Sequence, residues 1–207
     1  AVVDRYALLD SGSALGRGNG QLLVRRRGDR SPIRRVAIPG ELTTANAMLL
    51  RFFPSIVDRT PVLFSEIAAA VERGAFDAGV LIHEGRFTYE RHNLELVADL
   101  GALWERQTGL PLPLGGIVAS RELLAEVRRT FDRVLHDSIA YALEHPTVSR
   151  PFVREHAREL DDEVIDRHIA LFVNRYSLAL GEEGRRAVRE LTGLPDLRLG
   201  WEPLHGS

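Results

Sequence analysis

Apolar and polar positions alternate in short runs through the first 120 residues or so and then settle into helical periods. The apolar run at 6–9 predicts a strand, residues 11–20 (SGSALGRGNG) are rich in glycine, and 21–25 predict a second strand. A polar, arginine-rich connection follows over 26–35. Further strands are predicted at 35–39 (RVAIP), 62–64, 76–83 (FDAGVLIH), 94–100 and 112–120 (LPLGGIVAS). Helices fall between them: 44–53, stopped by Pro54; 66–73, capped by Ser65 and ended at Gly74; and 103–108, closed by Gly109. Strands alternating with short helices predict an α/β protein with a mostly parallel sheet.

The C-terminal part changes character. Residues 121–144 put Leu123, Leu124, Val127, Phe131, Val134, Leu135 and Ala142 on one helical face, and Pro146 ends that helix. Asp161, Asp162 and Glu163 form an acidic first turn ahead of Val164, Ile165, Ile169, Phe172 and Val173, a favourable helix start. A last helix is expected at 182–191, stopped by Gly193 and Pro195. There are no repeats and no low-complexity tract.

Composition removes several classes of function. The chain has 207 residues, enough for one large domain or two small ones. With 27 basic residues against 29 acidic, it lacks the strong positive charge of a dedicated nucleic-acid binder. No apolar run approaches the roughly 18 residues of a membrane span. Cysteine is absent, which excludes disulfides, thiolate metal sites and cysteine nucleophiles. Lysine is absent too, so neither a Schiff base nor the lysine-bearing phosphate loop of nucleotide hydrolases can be built. Ala1 is not an initiator and no secretory signal opens the sequence, so a removed leader or a missing N-terminal piece is expected.

Among the candidate sites, Gly12, Gly16, Gly18 and Gly20 lack the context of a dinucleotide loop, because a strand rather than a helix follows them. Arg25, Arg26, Arg27, Arg30, Arg34 and Arg35 form a basic patch without interleaved aromatics, which reads as a solvated connector. Residues 40–45 (GELTTA) join a strand to a helix, with Thr43 or Thr44 at the cap. That turn fits an ordinary threonine cap and an anion site at a helix start equally well. His83 ends a buried-type strand, where open α/β sheets present catalytic groups, and a neutral imidazole there can accept a proton. A structural role for a lone histidine stays open. Glu84 follows, but HEGRF is not the HExxH of a zinc protease. His92, His136, His145, His156, His168 and His205 show no metal-ligand spacing, and no GxSxG elbow surrounds a serine.

Taken together, 79–89 (GVLIHEGRFTY), 12–20, 39–45 (PGELTTA) and 109–114 (GLPLPL) resemble the 1,4-dihydroxy-6-naphthoate synthase family of the futalosine route of menaquinone biosynthesis. Further similarity runs through 138–146 (SIAYALEHP), 160–165 (LDDEVI) and 173–184 (VNRYSLALGEEG), covering nearly the whole chain in one register. The resemblance implies the fold of type II periplasmic binding proteins: two α/β lobes joined by two crossovers that close over a ligand. The crossovers would fall at 26–35 and 108–113, with 35–110 as the second lobe and 1–34 plus 111–207 as the first. It further implies a cytoplasmic lyase that converts cyclic de-hypoxanthine futalosine to 1,4-dihydroxy-6-naphthoate, releases a three-carbon fragment and needs no cofactor or metal. The implied catalytic base is His83. The implied substrate contacts are Thr43, Thr44, Ala45, Ile82 and Arg86, the last with an exposed role as its alternative. The implied partner is a small molecule rather than nucleic acid or membrane, and a homodimer is left open. Members of the family begin with a strand and a Pro-Asn-Asp-type loop and later carry a Lys-Leu-Ser motif, and neither is found here, so a truncated first lobe is expected. Two other readings remain: the chorismate dehydratase of the same pathway, and a solute-binding or sensory domain without catalysis.

Overall fold

The computed structural model describes residues 4–18, 20–83, 85–156 and 162–194, so Glu84, Asp161, Pro195 and His205, named above, lie outside the described residues. The strands are β1 (Tyr6–Leu8), β2 (Ala14–Gly16), β3 (Leu22–Arg26), β4 (Arg35–Ile38), β5 (Asp58–Pro61), β6 (Ala78–Leu81), β7 (Leu94–Asp99), β8 (Leu112–Gly115) and β9 (Val118–Ser120). The first helices are α1 (Thr44–Phe52), α2 (Ile67–Glu72), α3 (Gly85–Thr88) and α4 (Leu100–Thr108). After β9 come α5 (Ala125–Glu144), α6 (Pro146–His156), α7 (Asp162–Phe172), α8 (Arg175–Leu178) and α9 (Gly181–Thr192). The chain divides into two compact units, one from the described residues of 1–16 and 113–207, the other from 17–112.

The 17–112 unit is built on a five-stranded sheet in the order β5-β4-β6-β3-β7. β4 runs parallel to β5 and β6, as expected, whereas β3 runs antiparallel to both β6 and β7. The sheet is therefore mixed. Because β3 lies in the same sheet as β4, residues 17–34, expected with 1–16, belong to the 17–112 unit. The 26–35 connection joins two strands of one sheet instead of crossing between lobes. Leu22 and Val24 pack with Ala37, Ile67, Val71, Leu81 and Leu94 in one apolar cluster under α2. Leu23, whose side chain alternates to the opposite face, is fully buried as well, so both faces of β3 are covered.

The arginine-rich connection is held by carboxylates. Glu95 accepts from the Gly28 N–H at 3.2 Å and pairs with Arg30 and Arg25, which together hold its pKa below the usual value. The Asp77 carboxylate accepts from the backbone N–H groups of Arg34 and Arg35 at 2.9 and 2.8 Å. Partial burial raises its pKa, but those bonds from Arg35 and Arg34 outweigh it and the net shift is downward.

In the other unit, β1 pairs antiparallel with β9. The single strand expected at 112–120 is split into β8 and β9. Residues 10–15 of this unit, which run into β2, are tied down from far away in sequence: Ser11 N–H donates to Asp132 of α5 at 3.0 Å, Gly12 N–H to the Ser177 carbonyl at 2.8 Å, and Asn174 Nδ2 to the Leu15 carbonyl at 2.7 Å. Here α5 departs from expectation. Its buried positions include Arg128 and Asp132, while Leu124, Val127, Phe131 and Val134 stand exposed.

Candidate active site

Parallel pairing of β4 with β5 and β6 brings their carboxyl ends to one edge of the sheet, and antiparallel β3 brings its start, with Gly20 and Gln21, to the same edge. Ligands of open α/β sheets bind outside such an edge. Three segments meet there: the turn 39–43 leading into α1, the residues after β5, and Ile82–His83 after β6.

The first segment is a capped helix start. Thr43 Oγ1 accepts from Asn46 N–H at 3.2 Å and donates to the Gly40 carbonyl at 2.7 Å, so its hydroxyl is committed within the turn. The threonine-cap reading of Thr43 is thereby satisfied. Thr44 and Ala45 are the first helical residues, and their N–H groups point out along the axis, the positive end of the helix dipole. Ala45 is buried and Thr44 half-buried. Asn46, which sequence reasoning did not single out, is buried beneath this turn and donates Nδ2 to the Glu41 carbonyl at 2.8 Å.

The segment after β6 holds His83. It carries a φ of 52°, in the left-handed region that a residue with a side chain enters at some cost. The turn is closed by Gly85 N–H to the Ile82 carbonyl at 3.2 Å and by Arg86 N–H to the His83 carbonyl at 3.4 Å. Ile82 is half-buried, and the imidazole of His83 is exposed at the sheet edge. It also stands against Phe64, with ring centroids 5.5 Å apart and planes at 67°. Backbone strain of this kind, of order 1–3 kcal/mol, concentrates at functional sites.

Phe64 itself comes from a stretch whose structure differs from expectation. The strand predicted at 62–64 lies earlier, at β5, and Phe64–Glu66 form a 3-10 turn. Ser65 consequently does not cap α2, whose preceding residue is Glu66 without a side-chain cap bond. A large ring at the end of an apolar run is the sequence signal for Phe64. Nothing in either local segment places that ring against His83, 19 positions further along the chain.

Arg86 is not the exposed cation of the alternative reading. Its side chain is only 13% exposed, with Nη2 3.7 Å from an Asp99 carboxylate oxygen and Nη1 donating to the Gly20 carbonyl. Asp99 also caps α4 by accepting from Ala102 N–H at 2.9 Å. Arg86 thus ties the His83 turn to the start of β3 and the end of β7. Gly20 can be only glycine there: a Cβ on it would stand 2.2 Å from the Gly101 Cα. The close approach, not a phosphate, accounts for this glycine.

Among the described residues no group of three or more His, Asp or Glu side chains is placed to hold a metal, and no helix is long and apolar enough to cross a membrane. The arrangement offers an exposed imidazole and a helix N-terminus on neighbouring strands, the parts needed to take a proton from a bound oxygen-rich molecule.

The fold class is that of the periplasmic binding proteins. A Candida albicans protein described as having the generic periplasmic binding protein fold matches with a TM-score of 0.59 at 9% identity, over 93% of this chain and 68% of its own. The ligand-binding component of an ABC-type import system from Staphylococcus aureus matches with a TM-score of 0.61 at 11% identity, over 91% and 67%. Similarity in sequence is narrower. A 1,4-dihydroxy-6-naphtoate synthase from Thermus thermophilus is 48% identical over 192 residues, covering 92% of this chain and 70% of the relative. One from Streptomyces coelicolor is 44% identical over 197 residues, with the same coverage. The menaquinone biosynthesis family model matches residues 1–195, and the chain belongs to that family.

Proposed function

We propose that this chain carries out the reaction its relatives are named for, forming 1,4-dihydroxy-6-naphthoate from cyclic de-hypoxanthine futalosine, with His83 as general base. The observation that carries the reading is His83 itself: an exposed imidazole, held in a left-handed turn at the carboxyl end of β6, one strand from the capped start of α1. A solute-binding protein has no use for a strained base at that point.

In this reading the imidazole takes a proton from the sugar-derived part of the substrate. The electron pair left behind drives cleavage of a carbon–carbon bond in the retro-aldol sense, and the electrons of that bond pass into the ring system, which becomes aromatic as the three-carbon fragment leaves. The first N–H groups of α1, at Thr44 and Ala45, hold a substrate carboxylate or sugar oxygen. Thr43 shapes that turn from within, Ile82 contributes apolar surface beside the base, and Arg86 anchors the turn. The chemistry calls on acid–base catalysis alone, without cofactor, in the cytoplasm.

The test incubates the protein separately with cyclic de-hypoxanthine futalosine and with chorismate, following naphthoate formation and dehydration. Naphthoate from the first and no turnover of the second is expected. Turnover of chorismate alone points to the dehydratase, and binding without turnover of either points to a solute-binding protein.

A further inference from the structure

We propose that Phe64 is a positioning residue for the base: its ring, edge-to-face with the imidazole of His83, selects the rotamer from which the ring nitrogen meets the substrate. The inference rests on the reading of His83 as general base.

His83 is exposed, lies two residues past the end of β6 and has a left-handed backbone. The staggered χ1 positions of a histidine place its ring nitrogens in different directions, so the rotamer decides what the base can reach. Phe64 approaches from the neighbouring edge segment with ring centroids 5.5 Å apart and an interplanar angle of 67°, inside the range of favourable T-shaped pairs.

Phe64 is itself well seated. Val62 N–H donates to the Ile38 carbonyl at 2.9 Å, which extends the β4–β5 pairing to the residue before Leu63. Glu66 N–H donates to the Leu63 carbonyl at 2.8 Å and closes the 3-10 turn, and Ile67 behind it is fully buried. The backbone that carries the Phe64 ring is therefore held on both sides of it. Fixing the imidazole before substrate arrives removes an ordering step from the approach to the transition state, an effect on turnover rather than on binding.

The experiment compares wild type with Phe64→Leu, which keeps apolar volume without a ring, and Phe64→Tyr, which keeps the ring. The expected result is kcat lowered about 3- to 10-fold in Phe64→Leu with KM within about 2-fold, and kcat restored in Phe64→Tyr. NMR of the wild-type protein supplies a readout that does not depend on the variants folding: through-space cross-peaks between the Phe64 ring protons and the imidazole CH protons of His83. Their absence, an unchanged kcat in Phe64→Leu, or equal losses in both variants would overturn the proposal. His83→Asn is measured alongside. Retained activity there removes the base reading, whereas lost activity with an unchanged Phe64→Leu removes the positioning role alone.

Discussion

In the 17–112 unit, consecutive residues Leu22, Leu23 and Val24 of β3 are all buried, and so are Val36, Ala37 and Ile38 of β4. In the other unit, α5 buries Arg128 and Asp132 and turns Phe131 and Val134 outward at 53% and 58% exposure. The two regions answer differently to the same kind of pattern. A short continuous apolar run can satisfy itself only between two strands and beneath helices, so the run states its own surroundings. A helical stripe states only a period. On α5 the face chosen is the one where Asp132 receives the Ser11 N–H and the Arg128 guanidinium donates to the carbonyls of Arg121 and Leu123. A polar anchor to a distant loop fixes the orientation, and no local count of leucines and valines can report it.

The largest effect is expected in the core of the 17–112 unit. Trp104 is fully buried and donates Nε1 to the Pro111 carbonyl at 3.1 Å. Trp104→Ala is expected to destabilise the 17–112 unit by about 3–5 kcal/mol in denaturant titration. Next comes the helix start at the candidate site: Thr43→Ala removes the acceptor for Asn46 N–H and is expected to cost about 1 kcal/mol, with Thr43→Ser nearly neutral.

Acid should act on the same unit through Asp77 and Glu95, whose carboxyls titrate below their ordinary values of 3.8 and 4.5 in the folded chain. A lowered folded pKa favours the folded state fully above the unfolded value. That contribution fades as pH falls below about 4.5 and through the folded pKa values. Asp77→Asn should flatten the acid limb of a stability–pH curve, and an unchanged limb would remove Asp77 from this account. The smallest effect is expected where the stripe faces outward: Phe131→Ser should stay within about 0.5 kcal/mol of wild type. A loss comparable to that of Trp104→Ala would mean that the exposed face of α5 is packed in solution and would undo the contrast.

Much of the local structure around the candidate site is legible in the amino-acid sequence. The strand that leads to His83 and the threonine-capped start of α1 each announce themselves through local chemistry, a buried run and a cap. The pairing of β4 with β6 supplies their proximity. The antiparallel course of β3 is hidden because an apolar strand carries no mark of direction. Pro146 reads as a helix stop, yet it also opens α6, since proline fits the first turn of a helix as well as it ends the one before. Arg86 reads as a ligand for an anion because its acceptor, the Gly20 carbonyl, lies 66 residues away along the chain. Phe64 escapes for the same reason: ring-on-ring contact is a property of the folded edge, not of either segment.

Proton transfer by His83 is open to chemical rescue. His83→Ala leaves space at the sheet edge for added imidazole. Naphthoate formation is expected to fall at least about 100-fold in that variant and to return in proportion to the neutral fraction of added imidazole. Turnover by His83→Ala at the wild-type rate without imidazole would contradict that role.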